Sequence, residues 1–558
     1  MTAFAPGTAD DAGGGHVPAA RVRLLMLLAF AAIWFAGLGQ RTLVKPDEGR
    51  YAEIPREMAV SGDWVTPRLN GIKYFEKPPM QYWATAAAYR AFGASPGTAR
   101  LWTAATGFAG VLLVYAAGCA LFGRAAGWLG ALVLGSNLYY FLLGHINTLD
   151  MGLAFFCCAG LCALLLAQRP DTATGSRRRW MALAWLAVAG GVLSKGLIAL
   201  VLPGLATAVY MLVQRDLRLL GRMHPIMGGL LVVAVCAPWF LAVSHANPEF
   251  ARFFFVHEHF ERFATTVHRR VQPFWVFVPL AIVGMLPWAA AAGVGLVRAW
   301  RPAPDFHAQR YLLIWCAVVI GFFSASQSKL PAYILPMFPA LALLSGIALA
   351  RLPAAFHART IELPATLLAV LFAAGAWFVG RSGEPAVRPL YEQFSLWLWA
   401  AAATMAVGVL AFRHWRLHDA TAAAWCALAL ASATAGQIGL LGYDALAPVQ
   451  SAASLVDRVR DRIVADAPFY SVGTYDQTLD FYLERTVTVV AFQDELEFGL
   501  RQQPELWLPT LDDFRRVWLA APRAYAIMDP ETFAALAAGR LPMAEIARDS
   551  RRVIVARP

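Results

Sequence analysis

Apolar runs of about twenty residues recur along this chain, and they decide what it can fold into. Stretches at about 21–39, 98–121, 125–143, 150–168, 180–194, 197–213, 223–244, 273–298, 309–326, 331–350, 362–380, 393–412 and 419–442 each approach the length that crosses a hydrocarbon core about 30 Å thick. In lipid every backbone N–H and C=O must be satisfied within its own segment, so these runs read as helices. Charged residues make up only 15% of the 558 and apolar ones 59%, against roughly 25% charged in soluble domains. The expectation is a polytopic α-helical membrane protein with about 13 transmembrane helices.

Charge sets the orientation. The net charge of +11 does not trace a phosphate-tracking groove, because the basic residues sit in short clusters between apolar runs. Arg177–Arg179, Arg215 with Arg218 and Arg222, Arg298 with Arg301, and Arg413 with Arg416 are such clusters. This positive-inside pattern puts them on the cytoplasmic side and argues against a nucleic-acid partner. The apolar stretch 79–94 is too short to cross at about 1.5 Å per residue. It reads as a helix at the interface, with Tyr82, Trp83 and Tyr89 as an aromatic belt. Counting it as a span would put every basic cluster outside, so thirteen spans with an external C-terminus is the preferred topology. Arg21 and Arg23 precede the first run and no A-x-A site follows it, so it is expected to be retained as a span. Residues 1–20 read as a disordered cytoplasmic tail. All seven cysteines lie inside apolar runs, as packing residues with no disulfide framework.

The longest polar interruption in the first 440 residues runs from Lys45 to Trp83. It carries Asp47, Glu48, Glu53, Glu57, Asp63 and Glu76 beside Arg50, Arg56, Arg68, Lys73 and Lys77, with Tyr51, Tyr74 and Tyr82 interleaved. A connecting loop needs few polar residues; this density is that of an active site. The same topology brings four other segments to the outer face: HINTLD with His145 and Asp150, SKG with Lys195, the stretch 245–272, and SQSKLPAYILP with Lys329 and Tyr333. Ionisable residues at membrane depth are costly and mark functional sites. The domain reading is a transmembrane catalytic part over 21–443, with outer loops at 39–97 and 245–272, and a soluble α/β domain over 444–558. FYSVGTY, VTVVAF, AYAIMD and RRVIVA read as its strands and ETFAALAAGR as a helix, with no phosphate loop, metal spacing or triad.

PDEGRYAEIPREM, FEKPPMQYW, LSKG, FFFVHEHFERF and SKLPAYILPMFPAL together resemble conserved blocks of the C-type-fold (GT-C) glycosyltransferases that use lipid-linked sugars. The resemblance is closest to the transferases that place 4-amino-4-deoxy-L-arabinose on lipid A, and it covers about 20–350. It implies periplasmic juxtamembrane helices, the essential aspartate at Asp47 and a lipid-phosphate contact at Lys77. The strict D-x-D of some relatives is absent, since Glu48 and Gly49 follow Asp47.

The chemistry agrees with that implication. A polyprenyl-phosphate sugar needs cations to hold the phosphate and stabilise it as it leaves; Arg50, Lys77, Lys195 and Arg262 suit this. A carboxylate at the anomeric carbon would stabilise an oxocarbenium-like transition state or take a proton, and Asp47 is the choice, fixed by a helix-start turn between Pro46 and Gly49. Tyr51, Tyr74, Tyr82, Asp150, Lys329 and Tyr333 complete the substrate-binding set. A divalent metal, zinc rather than magnesium or manganese, is expected on Glu76 and His257, with no organic cofactor.

The resemblance further implies an undecaprenyl-phosphate-linked donor, a lipid A phosphate acceptor, inversion at the anomeric carbon, and lowered lipopolysaccharide charge with resistance to polymyxin and other cationic peptides. It implies an inner-membrane, monomeric enzyme, in contact with membrane lipids, with its site on the periplasmic side. The alternatives are a protein-hydroxyl acceptor, as in protein O-mannosyltransferases, and a transporter. A transporter holds its polar groups on paired broken helices at mid-membrane, which the sequence does not show.

Overall fold

A computed structural model describes residues 17–255, 272–301, 306–351 and 358–558. Most of the expected tail and the core of the 245–272 stretch therefore lie outside the described residues. The contacts divide the chain into two units. The first holds residues up to Ala36, Trp102–Ala376 and Trp397–Leu440; the second holds Gly37–Leu101, Trp377–Leu396 and Leu441–Pro558.

The first unit is helical, as the backbone argument requires, and every expected apolar run falls on helix. Among the described residues, eight helices are long and apolar enough to cross a membrane by length and composition alone. A ninth is added if Phe277–Gly284 and Ala289–Ala299, bent by 116°, count as one span. The other expected spans are shorter or less apolar, such as Ala20–Phe35 with 16 residues and Ile198–Gln214 with 17. The expected single helix over 125–143 breaks at Asn137. Its Nδ2 donates to the Val133 and Leu134 carbonyls, both at 3.0 Å, and its Oδ1 accepts from Tyr140 N at 2.9 Å. An amide that ends one helix and starts the next favours the break. Helices approach closely where side chains are missing: a Cβ on Gly346 would lie 2.4 Å from Ala126 O. Outward leucines such as Leu230, Leu241 and Leu410 stay exposed to the lipid side, while Trp34, Trp288 and Trp315 are buried. Their indole N–H groups donate to Ala104 O, Ser136 Oγ and Pro336 O at 2.9–3.0 Å.

In the second unit, the polar stretch folds as helix, hairpin and helix; a helix starts at Asp47, where the helix-start turn was expected, and the hairpin was not read from the sequence. Asp47–Ser61 is helical because Asp47 and Glu48 face the positive end of the helix dipole and Gly62, at φ 74°, supplies the left-handed stop. β1 (Arg68–Leu69) pairs antiparallel with β2 (Ile72–Lys73). Met80–Phe92 forms the expected short helix, burying Tyr82, Thr85, Ala86 and Tyr89 at helical spacing. The C-terminal residues form a six-stranded sheet from β3 (Phe469–Val472), β4 (Thr488–Val490), β5 (Trp507–Leu508), β6 (Tyr525–Met528), β7 (Ala544–Arg548) and β8 (Val553–Ala556). The order is β5-β4-β3-β6-β8-β7. The first four strands are parallel and the last two join antiparallel. Strands β3 and β6 are buried throughout, which is why FYSV and YAIM read as continuous apolar runs.

One buried pair seats the polar stretch. Arg100, in the first turns of Pro96–Phe122, donates to Glu48 from Nε and Nη2, both at 2.7 Å. Its remaining N–H groups reach the carbonyls of Leu38, Arg41 and Thr42 at 2.7–2.9 Å. Neither side chain reaches solvent. Removing one member of such a pair strands a buried charge at a cost of about 3–5 kcal/mol. Arg100→Met should cost that much, since three carbonyls also lose their donor. Glu48→Gln should cost less, about 1–3 kcal/mol, because the guanidinium keeps its carbonyl partners. Thermal unfolding of the detergent-solubilised protein measures both, and equal losses would contradict the ranking.

Candidate active site

The start of the Asp47–Ser61 helix gathers the predicted side chains of the second unit. Asp47 is the first helical residue and its carboxylate is about half exposed. One turn on, Arg50 is buried, with Nη1 3.4 Å from Asp47 Oδ1 and Nη2 in an ion pair with Glu495 of the C-terminal part. Gln477 Nε2 donates to the other Glu495 oxygen at 2.7 Å. Gly49 permits this approach: a Cβ there would stand 2.5 Å from Gln477 O. The guanidinium carbon lies 5.8 Å from the ring centres of both Tyr51 and Tyr74, and the Tyr51 and Tyr82 rings are 6.3 Å apart.

Burial alone would lower the Arg50 pKa, but Tyr74, Glu495 and Tyr51 around it hold it above its ordinary value. Burial pushes the Tyr51, Tyr74 and Tyr82 hydroxyls well up, so at neutral pH all three carry their protons. Tyr74 Oη, Tyr82 Oη and Arg50 Nε are buried with no hydrogen-bond partner among the described residues. Three donors therefore converge unsatisfied beside a half-exposed carboxylate, which suits an oxygen-rich ligand. Lys77 Nζ lies 3.9 Å from the Glu76 carboxylate and donates to the Glu76 carbonyl at 2.7 Å.

The first unit brings together a second predicted group. Lys195 ends the Thr174–Lys195 helix, and Gly196 follows at φ 81°. Its ammonium pairs with Asp150, in the first turn of Leu149–Ala167, and stands 5.0 Å from the Tyr333 ring centre. Lys329 is buried and donates to Ser326 O within its own loop at 2.6 Å, so it serves that turn. Arg262 and His257 lie outside the described residues. Among the described residues no three His, Cys, Asp or Glu side chains come together to hold a metal.

Comparison with known proteins places this arrangement. Residues 455–557 match the aminoarabinose transferase C-terminal domain, and 19–254 match the dolichyl-phosphate-mannose-protein mannosyltransferase family. The undecaprenyl phosphate-alpha-4-amino-4-deoxy-L-arabinose arabinosyl transferase of Erwinia tasmaniensis is 32% identical over 528 residues, covering 90% of this chain and 92% of that one. The chain belongs to the aminoarabinose transferase family. The crystal structure of ArnT from Cupriavidus metallidurans bound to undecaprenyl phosphate superposes with a TM-score of 0.92 at 36% identity, over 97% of this chain and 99% of that one. An archaeal oligosaccharyltransferase, AglB from Archaeoglobus fulgidus, shares the fold at 12% identity with a TM-score of 0.51, over 92% of this chain and 70% of that one.

As a member of the aminoarabinose transferases, the chain is a multi-pass inner-membrane glycosyltransferase of the GT-C fold that uses a lipid-linked sugar donor. Its fold class, reaction class and location are those read from the sequence. Sequence reasoning missed the partners contributed from far along the chain. Glu495 lies 445 residues from Arg50, in a segment, QDELEFG, with no motif to flag it. Glu48 was visible only as one more acidic residue, because its partner Arg100 sits in an apolar span.

A buried acidic group behind the site was also invisible. Glu53 is fully buried and accepts from Arg56 Nε at 2.6 Å. Glu57 accepts from Gly71 N at 2.9 Å, and Asp480 accepts from Tyr475 Oη at 2.6 Å. Burial raises all three carboxyls, Glu57 to about 8, and the neighbouring Glu53 charge adds to the Glu57 and Asp480 shifts. The folded state thus holds protons that an unfolded chain releases near 4.5, the ordinary glutamate value. That stabilisation is fully present below 4.5 and is lost as pH rises through about 8. The melting temperature should fall between pH 5 and 9, and Glu57→Gln should flatten part of the fall, leaving the variant roughly 5 °C more stable than the parent at pH 9. Melting curves across that range check it; parallel curves for parent and variant would contradict the assignment.

Proposed function

We propose that this enzyme moves 4-amino-4-deoxy-L-arabinose from undecaprenyl phosphate to a phosphate of lipid A at the periplasmic face. The observation that carries the reading is the helix start at Asp47, where a half-exposed carboxylate stands beside a buried arginine locked between Asp47 and Glu495 and flanked by tyrosines. Arg50 and Lys77 supply positive charge for the donor phosphate, with Lys195 the further candidate in the first unit. The Tyr74 and Tyr82 hydroxyls and the Arg50 Nε–H are donors for the oxygens of the sugar phosphate.

In the proposed step an acceptor phosphate oxygen attacks the anomeric carbon, and the bond from that carbon to the donor phosphate oxygen breaks. Undecaprenyl phosphate leaves with the electron pair, and the configuration inverts. Asp47 orients the sugar and offsets the positive charge that grows on it. The metal expected on Glu76 and His257 remains part of the proposal, and Glu76 would offer it the partly exposed carboxylate that also neighbours Lys77. Such an ion would supply Lewis-acid stabilisation of a phosphate oxygen.

A phosphate acceptor has a second pKa near ~6 and at pH 7 needs little help from a base. A hydroxyl acceptor, the reading favoured by the match to protein mannosyltransferases over 19–254, must lose a proton, for which a positioned base contributes roughly 10²–10⁴-fold. Asp47→Asn should therefore lose about 10²-fold or more of its activity at every pH from 6.5 to 9, with no alkaline rescue. A pH–rate profile of the variant with purified donor and lipid A tests this; activity climbing steeply with pH would transfer the proposal to a hydroxyl acceptor.

Arg50→Ala and Lys77→Ala should each raise the donor KM by about tenfold or more, since a charge-assisted bond to phosphate contributes roughly 1.5–3 kcal/mol. Steady-state kinetics with varied donor measures this. An unchanged donor KM in both variants would move the phosphate site away from this helix.

A further inference from the structure

The turn Ala447–Gln450, which ends the last long apolar helical stretch, Thr421–Gln450, gathers a set of cations that the transfer chemistry does not use. Lys45 N donates to Gln450 O at 2.9 Å, Arg551 Nη1 to Val449 O at 2.6 Å, and Arg552 Nη2 to Ser451 O at 2.7 Å. Two carboxylates accompany these three cations, and both are fully engaged. Asp549 Oδ2 accepts from Arg552 Nε and Nη2 at 3.0 and 2.7 Å, and its Oδ1 accepts from the backbone N–H groups of Arg551 and Arg552. Asp476 accepts from Arg552 Nη1 at 2.6 Å and from Thr478.

Arg552 is thereby buried and satisfied, while the half-buried Lys45 ammonium has no hydrogen-bond or ion-pair partner among the described residues. Arg551 is exposed, and its guanidinium is bonded only to the Val449 carbonyl and not to any carboxylate among the described residues. Burial holds the Lys45 pKa below its ordinary value, and the Arg551 charge lowers it further against smaller opposing pulls from Asp476 and Asp549. Two cations thus share the turn at the end of an apolar helical stretch, and the two carboxylates near them, Asp476 and Asp549, are already engaged by Arg552, Thr478 and backbone N–H groups. An anion bridging the two cations would relieve their repulsion and gain charge-assisted hydrogen bonds from each.

We propose that Lys45 and Arg551 form a phosphate-binding site, separate from the donor site, that takes the headgroup phosphate of a membrane lipid. The chemistry alone fits any phosphate anion. The sequence position of the turn, directly after the last long apolar stretch, favours a lipid headgroup over a free ion, because headgroups are held near the ends of such stretches at high local concentration. The site does not rest on the donor assignment above, and it stands if that assignment fails.

The test uses the full chain in detergent, titrated with phosphatidic acid and, separately, with inorganic phosphate, and read by native mass spectrometry. One equivalent of phosphatidic acid should bind to the parent. Lys45→Gln/Arg551→Gln should weaken it about tenfold or more, and Lys45→Arg should retain it. Lys77→Ala should bind it as the parent does. Equal affinity of parent and double variant would overturn the proposal, and so would loss of the equivalent in Lys77→Ala, which would put the lipid at the donor site. Inorganic phosphate binding as tightly as the lipid would overturn the headgroup assignment. If the double variant unfolds, Arg551→Glu, at an exposed side chain, carries the same comparison.

Discussion

The second unit depends on the pairing of Glu48 with Arg100. Glu48 lies in the first turn of the helix that carries Asp47 and Arg50, and Arg100 lies at the start of a membrane-length helix. Two parallel N–H···O bonds of 2.7 Å tie the helix start to Arg100, and the remaining donors hold three carbonyls of the segment 38–42. Glu48 Oε2 also accepts from Val44 N at 3.2 Å, so the chain entering the helix is tied to the same carboxylate. A charge pair of this kind is retained only when every lone pair and N–H is used, because each unpaired charge would carry its full desolvation cost. Here the cost is met by geometry, and the geometry also sets the position of Asp47.

The C-terminal sheet has a direct part in that arrangement. Its loops deliver Glu495 and Gln477 to Arg50, and its helix Leu479–Leu483 delivers Asp480 to the acidic group around Glu53 and Glu57. Asn70 exchanges two hydrogen bonds of 2.7 and 2.8 Å with the backbone of Val487, next to β4. The helix Asp47–Ser61 and the C-terminal sheet thus belong to one compact unit, although about 400 residues separate Ser61 from Phe469 in sequence. A site assembled in this way is closed by contacts of very large loop length, which only the folded state can hold.

Local signals made much of this chain legible. Asp47, Arg50 and the three tyrosines stand out because a charged, aromatic stretch directly after an apolar span has few structural uses. Lys195 and Asp150 stand out because charges at membrane depth are expensive. The strands at 469–472 and 525–528 read clearly as apolar β-branched and aromatic runs. β5 did not, with two residues and a half-buried pattern, and β7, with exposed glutamate and arginine, carries no apolar alternation. The helix Asp47–Ser61 was legible only at its start, the turn between Pro46 and Gly49, because Pro55 and a run of charges masked its periodicity further on.

The sequence by itself determined the membrane helices, their orientation and the outer face of the chemistry, since lipid admits only self-satisfied backbone and penalises each stray charge the more deeply it lies. Tertiary structure alone decided which charges are paired. Whether Glu48 is a surface acid or a buried anchor, whether Arg50 meets Asp47 alone or Glu495 as well, and whether Glu57 holds its proton all turn on distances between residues up to hundreds of positions apart. Coulomb and desolvation terms change steeply over a few ångströms, and no periodicity in a linear chain records them.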